Sequence, residues 1–142
     1  MLIPDLNLLL YAHDHQSSRH AFALKWWENL LNSQRPVGLA WVTLLGFIRL
    51  TTSPRLVSNP LTPTLAIECV QSWLALPTVR IITPGPHHSL ILFRLLADVG
   101  VAGNLTTDAH LAALAIEYQA ELASTDSDFS RFPGLRWVNP MK

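Results

Sequence analysis

Short apolar runs alternate with longer stretches of helical period along the whole chain. MLIP (1–4) is apolar and halts at Pro4 and Asp5, predicting a strand; NLLLYAH (7–13) predicts a short helix and SSRHAFALKWWENLLNS (17–33) a longer one opened by serine caps. PVGLAW (36–41) predicts a second strand, and VTLLGFIRLTTS (42–53) a helix that ends near Pro54, because the residue before a proline avoids the helical region. PRLVSNPLTP (54–63) reads as a loop. Thr62 followed by Pro63 is a cap and a first-turn proline, starting a helix that runs to about Leu76. VRIIT (79–83) predicts a third strand and HHSLILFRLLADVG (87–100) a helix, entered after the PGP break at 84–86 and terminated by Gly100. TTDAHLAALAIEYQ (106–119) is the next helix, ELAST (121–125) a fourth strand, and LRWVN (135–139) a fifth near a sheet edge, since Pro140 follows at once.

This alternation predicts an α/β fold in three layers, with helices on both faces of a mainly parallel sheet of four to five strands. The 142 residues suffice for one sizeable core, so a single domain over residues 1–142 is expected. Charged residues make up 14% of the chain, against roughly 25% in an average soluble protein, and 49% of residues are apolar. A monomer would leave apolar surface uncovered, which predicts a protein partner. Ten Lys and Arg balance ten Asp and Glu, so global charge draws the chain to neither nucleic acid nor an anionic membrane. The single cysteine, Cys69, sits in an apolar helical pattern and reads as a small core residue. No run approaches a membrane span and the N-terminus has an acid where a signal peptide is basic, so a soluble, cytoplasmic protein is expected.

The scarce acids fall where chemistry is expected. Ligands of open α/β sheets sit beyond the carboxyl ends of the strands. Asp5 follows the first strand, Asp126 and Asp128 follow the fourth, and Asp108 stands in the first turn of the helix feeding the fourth. Carboxylates gathered at one rim repel unless cations lie among them, and hard oxygen donors in this number suit Mg²⁺ or Mn²⁺. Each also has a plain structural role open to it: Asp108 facing a helix dipole, Asp5 capping a helix, Asp126 and Asp128 shaping a turn.

The segments PDLNLLLYA, VTLLGFIRLTTSPR, NLTTDAHLAALAIEYQAEL and ASTDSDFSRFPGLRWVNP, in this order and spacing, resemble the PIN-domain nucleases and, within them, the VapC-type toxins of toxin–antitoxin pairs. The resemblance implies a divalent-metal-dependent endoribonuclease held inactive by a VapB-type antitoxin, with products ending in 5′-phosphate and 3′-hydroxyl. Asp5 and Asp108 match the family's principal metal-binding acids, Asp126 the acid of the late T-D-x-D-F motif, and Asp128 its companion. Asn7 matches a polar position able to orient Asp5 by a hydrogen bond. Many PIN nucleases carry a glutamate where this chain has Gly46, a departure expected to weaken the hold on a second metal.

Glu117 does not replace that glutamate: nine residues from Asp108, it points to the opposite side of the helix, about 13 Å along the axis. Thr43 and Thr125 are hydroxyls that can reach the rim, Thr43 to orient a metal-bound water, or they are an ordinary cap and strand end. Arg49, Arg55 and Arg131 are the candidates for holding RNA phosphates beside an acidic pocket, against routine surface solvation. The six histidines form no metal signature and are expected at the surface or in loops. Trp26 and Trp27 lie about 100° apart on one helix, so one is expected to face the core and the other a partner, either an antitoxin helix or a second copy in a homodimer. Two rivals remain. One is a PIN-fold binding module without turnover, favoured by Gly46. The other is a haloacid-dehalogenase-like phosphatase, disfavoured by Asn7 where that chemistry needs a second acid and by Lys25 and Lys142, the chain's two lysines, being poorly placed for the phosphate.

Overall fold

The computed structural model describes residues 1–100 and 102–142. Five strands are ordered β3-β2-β1-β4-β5, and every neighbouring pair is parallel. They are β1 (Leu2–Pro4), β2 (Val37–Ala40), β3 (Val79–Ile82), β4 (Glu121–Ala123) and β5 (Arg136–Val138). The helices between them are α1 (Leu6–His13), α2 (His20–Asn32), α3 (Trp41–Thr51), α4 (Pro63–Leu74), α5 (His88–Val99) and α6 (Thr106–Glu117). β5 takes the edge its proline predicted.

Successive strand residues face opposite sides of a sheet, and the core divides accordingly. Leu2, Val37, Leu39 and Val79 face a layer built from α1 to α4, where Leu8, Leu9, Trp27, Leu44, Phe47 and Trp73 are buried. Ile3, Ala40, Ile82 and Leu122 face the other layer, made by Leu95 of α5, the small residues of α6, Phe129 and Phe132. Alanines at 109, 112, 113 and 115 are almost completely buried, which brings the backbone of α6 close to the sheet. Both faces covered is the environment that lets such short parallel strands be almost wholly apolar.

Local signals set most boundaries. Thr62 accepts the Leu65 N–H at 3.2 Å with Pro63 in the first turn of α4. Gly100 ends α5 with φ +71°, a left-handed conformation that favours glycine. The serine caps expected for α2 are a correction: the helix starts after Arg19 without a side-chain cap, and the Ser17 hydroxyl instead accepts the Arg19 N–H at 3.1 Å. The His20 ring, held 2.9 Å from the Tyr11 carbonyl, ties that end of α2 to α1. Trp27 is buried edge-on to Trp73, whereas Trp26 is half-buried.

The histidines depart furthest from expectation. His13 lies edge-on to Phe47 and Trp73, and burial pulls its pKa down. His88 is buried and shares a 2.9 Å hydrogen bond with His110, joining α5 to α6. Tertiary packing placed them: much of each imidazole is apolar enough to pack, and each makes one polar contact, with His88 Nδ1 left buried and unpartnered. Among the described residues, no helix is long and apolar enough to cross a membrane.

Candidate active site

The pairing of β1 with β4 sets Pro4 beside Ala123, so Asp5 and Ser124 leave the sheet side by side. The Asp5 N–H donates to the Ala123 carbonyl at 2.8 Å, extending that ladder by one bond. Asp5 then caps α1: Oδ1 accepts the Leu6 N–H at 2.8 Å, while Oδ2 accepts the Ser124 hydroxyl at 2.7 Å. Both oxygens are fixed, and each retains a lone pair.

Ser124 is the hub that sequence reasoning missed. It is fully buried, its N–H donates to Val138, and its carbonyl accepts the Trp137 indole N–H at 3.0 Å. Its hydroxyl has one proton, which goes to Asp5; its lone pairs take the Asp126 N–H at 3.0 Å and the Asn7 amide at 3.4 Å. Asn7 also donates to Thr125 Oγ1 at 2.9 Å. Since the hydroxyl proton is committed to Asp5, the Asn7 NH₂ must face Ser124, leaving Asn7 Oδ1 buried and unpartnered. The direct Asn7–Asp5 bond expected from the sequence is thereby corrected: Asn7 acts on Asp5 through Ser124. The one sequence signal for Ser124 was a small hydroxyl at the end of β4, meaningful only once β4 is known to lie beside β1.

Asp126 caps a 3₁₀ turn (Ser127–Arg131), its Oδ1 accepting the Asp128 N–H at 2.9 Å. Asp108 stands half-buried in the first turn of α6. Burial, then the charges of Asp5, Asp126 and Asp128, push its carboxyl up to about 6. Burial also raises Asp5, against the bonds from Ser124 and Leu6, with Asp126 adding to the rise. The four acids, drawn from three distant segments, thus share one electrostatic site. The capping and turn roles are also present, so structure and site use the same carboxylates. Among the described residues, no three His, Cys, Asp or Glu side chains stand close enough to hold a metal ion as placed.

The remaining candidates scatter. Thr43 is buried in the first turn of α3, and no hydrogen bond joins it to the acids. Arg49 in the last turn of α3, Arg55 in the 52–62 connection and Arg131 at the end of the 3₁₀ turn are exposed. The ion pair found among the described residues, Arg35 with Glu121 at 3.0 Å, involves none of them. Glu117 accepts the N–H groups of Gly85 and His87, each at 2.8 Å, and so staples the β3–α5 connection to α6. A cavity of about 580 Å³ between the end of α1 and the 56–61 segment includes none of the four acids in its lining, so cavity size does not locate this site.

Residues 2–135 match the PIN domain family model. The chain is 44% identical over 142 residues to Ribonuclease VapC33 of Mycobacterium tuberculosis, covering 100% of this chain and 99% of that one. It is 46% identical over 140 residues to Ribonuclease VapC37 of the same organism, covering 99% and 97%. Among solved structures, VapBC2 from Rickettsia felis bound to a DNA fragment from its promoter superposes with a TM-score of 0.68, covering 97% of each chain at 19% identity, a likeness of fold. With family match, full-length relatives and a carboxylate site at the carboxyl ends of β1 and β4, the chain belongs to the PIN-domain family, among its VapC ribonucleases.

Proposed function

We propose that this chain is a Mg²⁺- or Mn²⁺-dependent endoribonuclease acting as the toxin of a toxin–antitoxin pair. The observation that carries the reading is the Ser124 hydroxyl, which donates to Asp5 Oδ2 at 2.7 Å and accepts the Asp126 N–H at 3.0 Å, joining the acids that end β1 and follow β4; the raised pKa of Asp108 supports it. A fold that draws acids together at such cost is stabilised by a bound cation. The donors fit a hard ion: they are all oxygens, the two on Asp5 are prealigned with lone pairs to spare, and Asn7 Oδ1 is buried without a partner. Coordination requires the acids to draw closer than they stand without it.

Asp5, Asp108 and Asp126 would hold the ion, with Asp128 at the exposed margin. When bound, it lowers the pKa of a water and neutralises charge developing on the phosphodiester. The chain's own residues position everything else. Ser124 and the Leu6 N–H lock the Asp5 rotamer, Asn7 and Thr125 brace Ser124, and the N-terminal turn of α6 partly offsets the charge of Asp108. Arg49, Arg55 and Arg131 are assigned to flanking RNA phosphates, a local cationic margin on a chain with no net charge.

Exposed apolar side chains supply the protein-binding surface that the composition predicts. Trp41 and Leu45 on α3 and Leu90 and Phe93 on α5 are each more than half exposed. We assign them to a VapB-type antitoxin or a second copy in a homodimer, a reading supported by solved relatives described as VapBC complexes. The competing binding-module reading rests on Gly46 alone. Purified, antitoxin-free protein incubated with RNA and Mn²⁺ decides between them: cleavage that chelation stops and that Asp5→Asn lowers by about a hundredfold or more is expected. Equal cleavage by both proteins would mark a contaminant, and none by either would favour the module. Growth arrest on expression, relieved by the cognate antitoxin, tests the toxin assignment separately.

A further inference from the structure

Gly46 is buried in α3, and a Cβ built there would stand 2.6 Å from Leu6 Cδ2. The space that a side chain at 46 needs is therefore already occupied by Leu6, which also packs against the α1–α4 core. Leu6 is no distant neighbour of the site. It is the first residue of α1, its N–H is bonded to Asp5 Oδ1, and its backbone continues directly from that of Asp5. We propose that Leu6 is a positioning residue: its side chain, keyed into the notch left by Gly46, holds the first turn of α1 against α3 and so fixes the orientation of the Asp5 carboxylate.

On this inference the glycine is not simply a lost donor. Leu6 takes up the space in which the Cβ of any side chain at 46 would lie, and packing supplies the constraint on Asp5 that a further ligand would otherwise help to impose. The atom met first is a terminal methyl of Leu6, so the outlet on filling the notch is rotation of that side chain away from position 46, which removes the key. The two residues are therefore coupled, and substitutions that each harm the site should compensate when combined.

Amide hydrogen exchange on the full chain reads the Leu6 N–H to Asp5 bond without metal, and binding of Mn²⁺ alone, followed by its paramagnetic resonance, reads the carboxylate set. The second readout rests on the metal reading above. Gly46→Ala is expected to speed exchange at the residue 6 amide about tenfold, leaving the interior of α1 protected, and to weaken Mn²⁺ binding about fivefold. Leu6→Ala should do likewise, and the two together should return both readouts towards wild type. Gly46→Glu should weaken Mn²⁺ binding despite adding a carboxylate. Tighter binding by Gly46→Glu alone, unchanged exchange at residue 6 in Gly46→Ala, or a uniform rise along α1 would overturn the inference. Should Gly46→Ala fail to fold, Leu6→Ala and the double variant still decide it: folding of the double with residue 6 protected supports it, and failure to restore protection refutes it. Wild-type protein that binds no Mn²⁺ would sink the metal reading, while the exchange result would still stand on its own.

Discussion

Asp108 and Glu117 stand near the two ends of α6, and their surroundings push them in opposite directions. Asp108 is raised to about 6, first by burial and then by Asp5, Asp126 and Asp128. For Glu117 burial also opposes ionisation, but the N–H groups of Gly85 and His87, with the imidazoles of His88 and His87, outweigh it and hold the carboxyl below its usual range. One carboxylate faces its own kind and the other faces donors. The difference separates function from architecture: Glu117 is satisfied by the fold itself, whereas Asp108 is left wanting a positive partner. Gly85 sharpens the contrast, because a Cβ there would come within 2.6 Å of Glu117 Oε2 and push the staple aside.

Four substitutions probe that contrast. Asp5→Asn, which removes an anion from the cluster, should lower RNA cleavage by about a hundredfold or more, since electrostatic stabilisation by a cation site is worth several kcal/mol; single-turnover cleavage checks it. Ser124→Ala unlocks Asp5 Oδ2 and takes the acceptor from the Asp126 N–H, with an expected loss of about tenfold in the same assay and a smaller loss of stability.

Asp108→Asn should eliminate cleavage yet stabilise the metal-free protein. The carboxyl binds its proton more tightly folded than unfolded, so stability falls as pH rises from the usual 3.8 through about 6, and the penalty is fully present above that. Discounted for solvent screening of a half-exposed group, the gain at pH 7 is about 1 kcal/mol, vanishing below pH 4. Denaturant melts at both pH values measure it, and Mn²⁺ should stabilise wild type more than the variant.

Glu117→Gln belongs to the opposite class and should have the smallest effect. Cleavage should persist while the melting temperature drops modestly. The carboxyl's depressed pKa means its contribution is present above the unfolded value of 4.5 and is lost as pH falls through the folded one. A Glu117→Gln protein that folds normally but cannot cleave would erase the distinction between the two ends of the helix.

The elements were legible because their signals are local. Pro63 behind Thr62, Gly100 after the last apolar turn of α5 and the apolar runs of β1 to β4 each act within a few residues, and the structure follows them. Capping of α2 departs from the expectation because Ser17 and Ser18 lie before its Arg19 N-cap, and the His20 ring bonds the Tyr11 carbonyl at that end. His88 and His110 are 22 residues apart, and nothing in either segment announces their bond.

The sequence by itself determined the order of strands and helices, the placing of scarce acids at strand and helix ends, and the family to which the chain belongs. Tertiary structure alone decided that Ser124 would govern Asp5, that Leu6 would occupy the notch at Gly46, and that Asp108 and Glu117 would be driven apart in acidity. The physical reason is range. Periodicity, caps and breakers act over a few neighbouring residues, whereas hydrogen bonds between β1 and β4, steric contact between α1 and α3, and desolvation exist only after distant segments pack together.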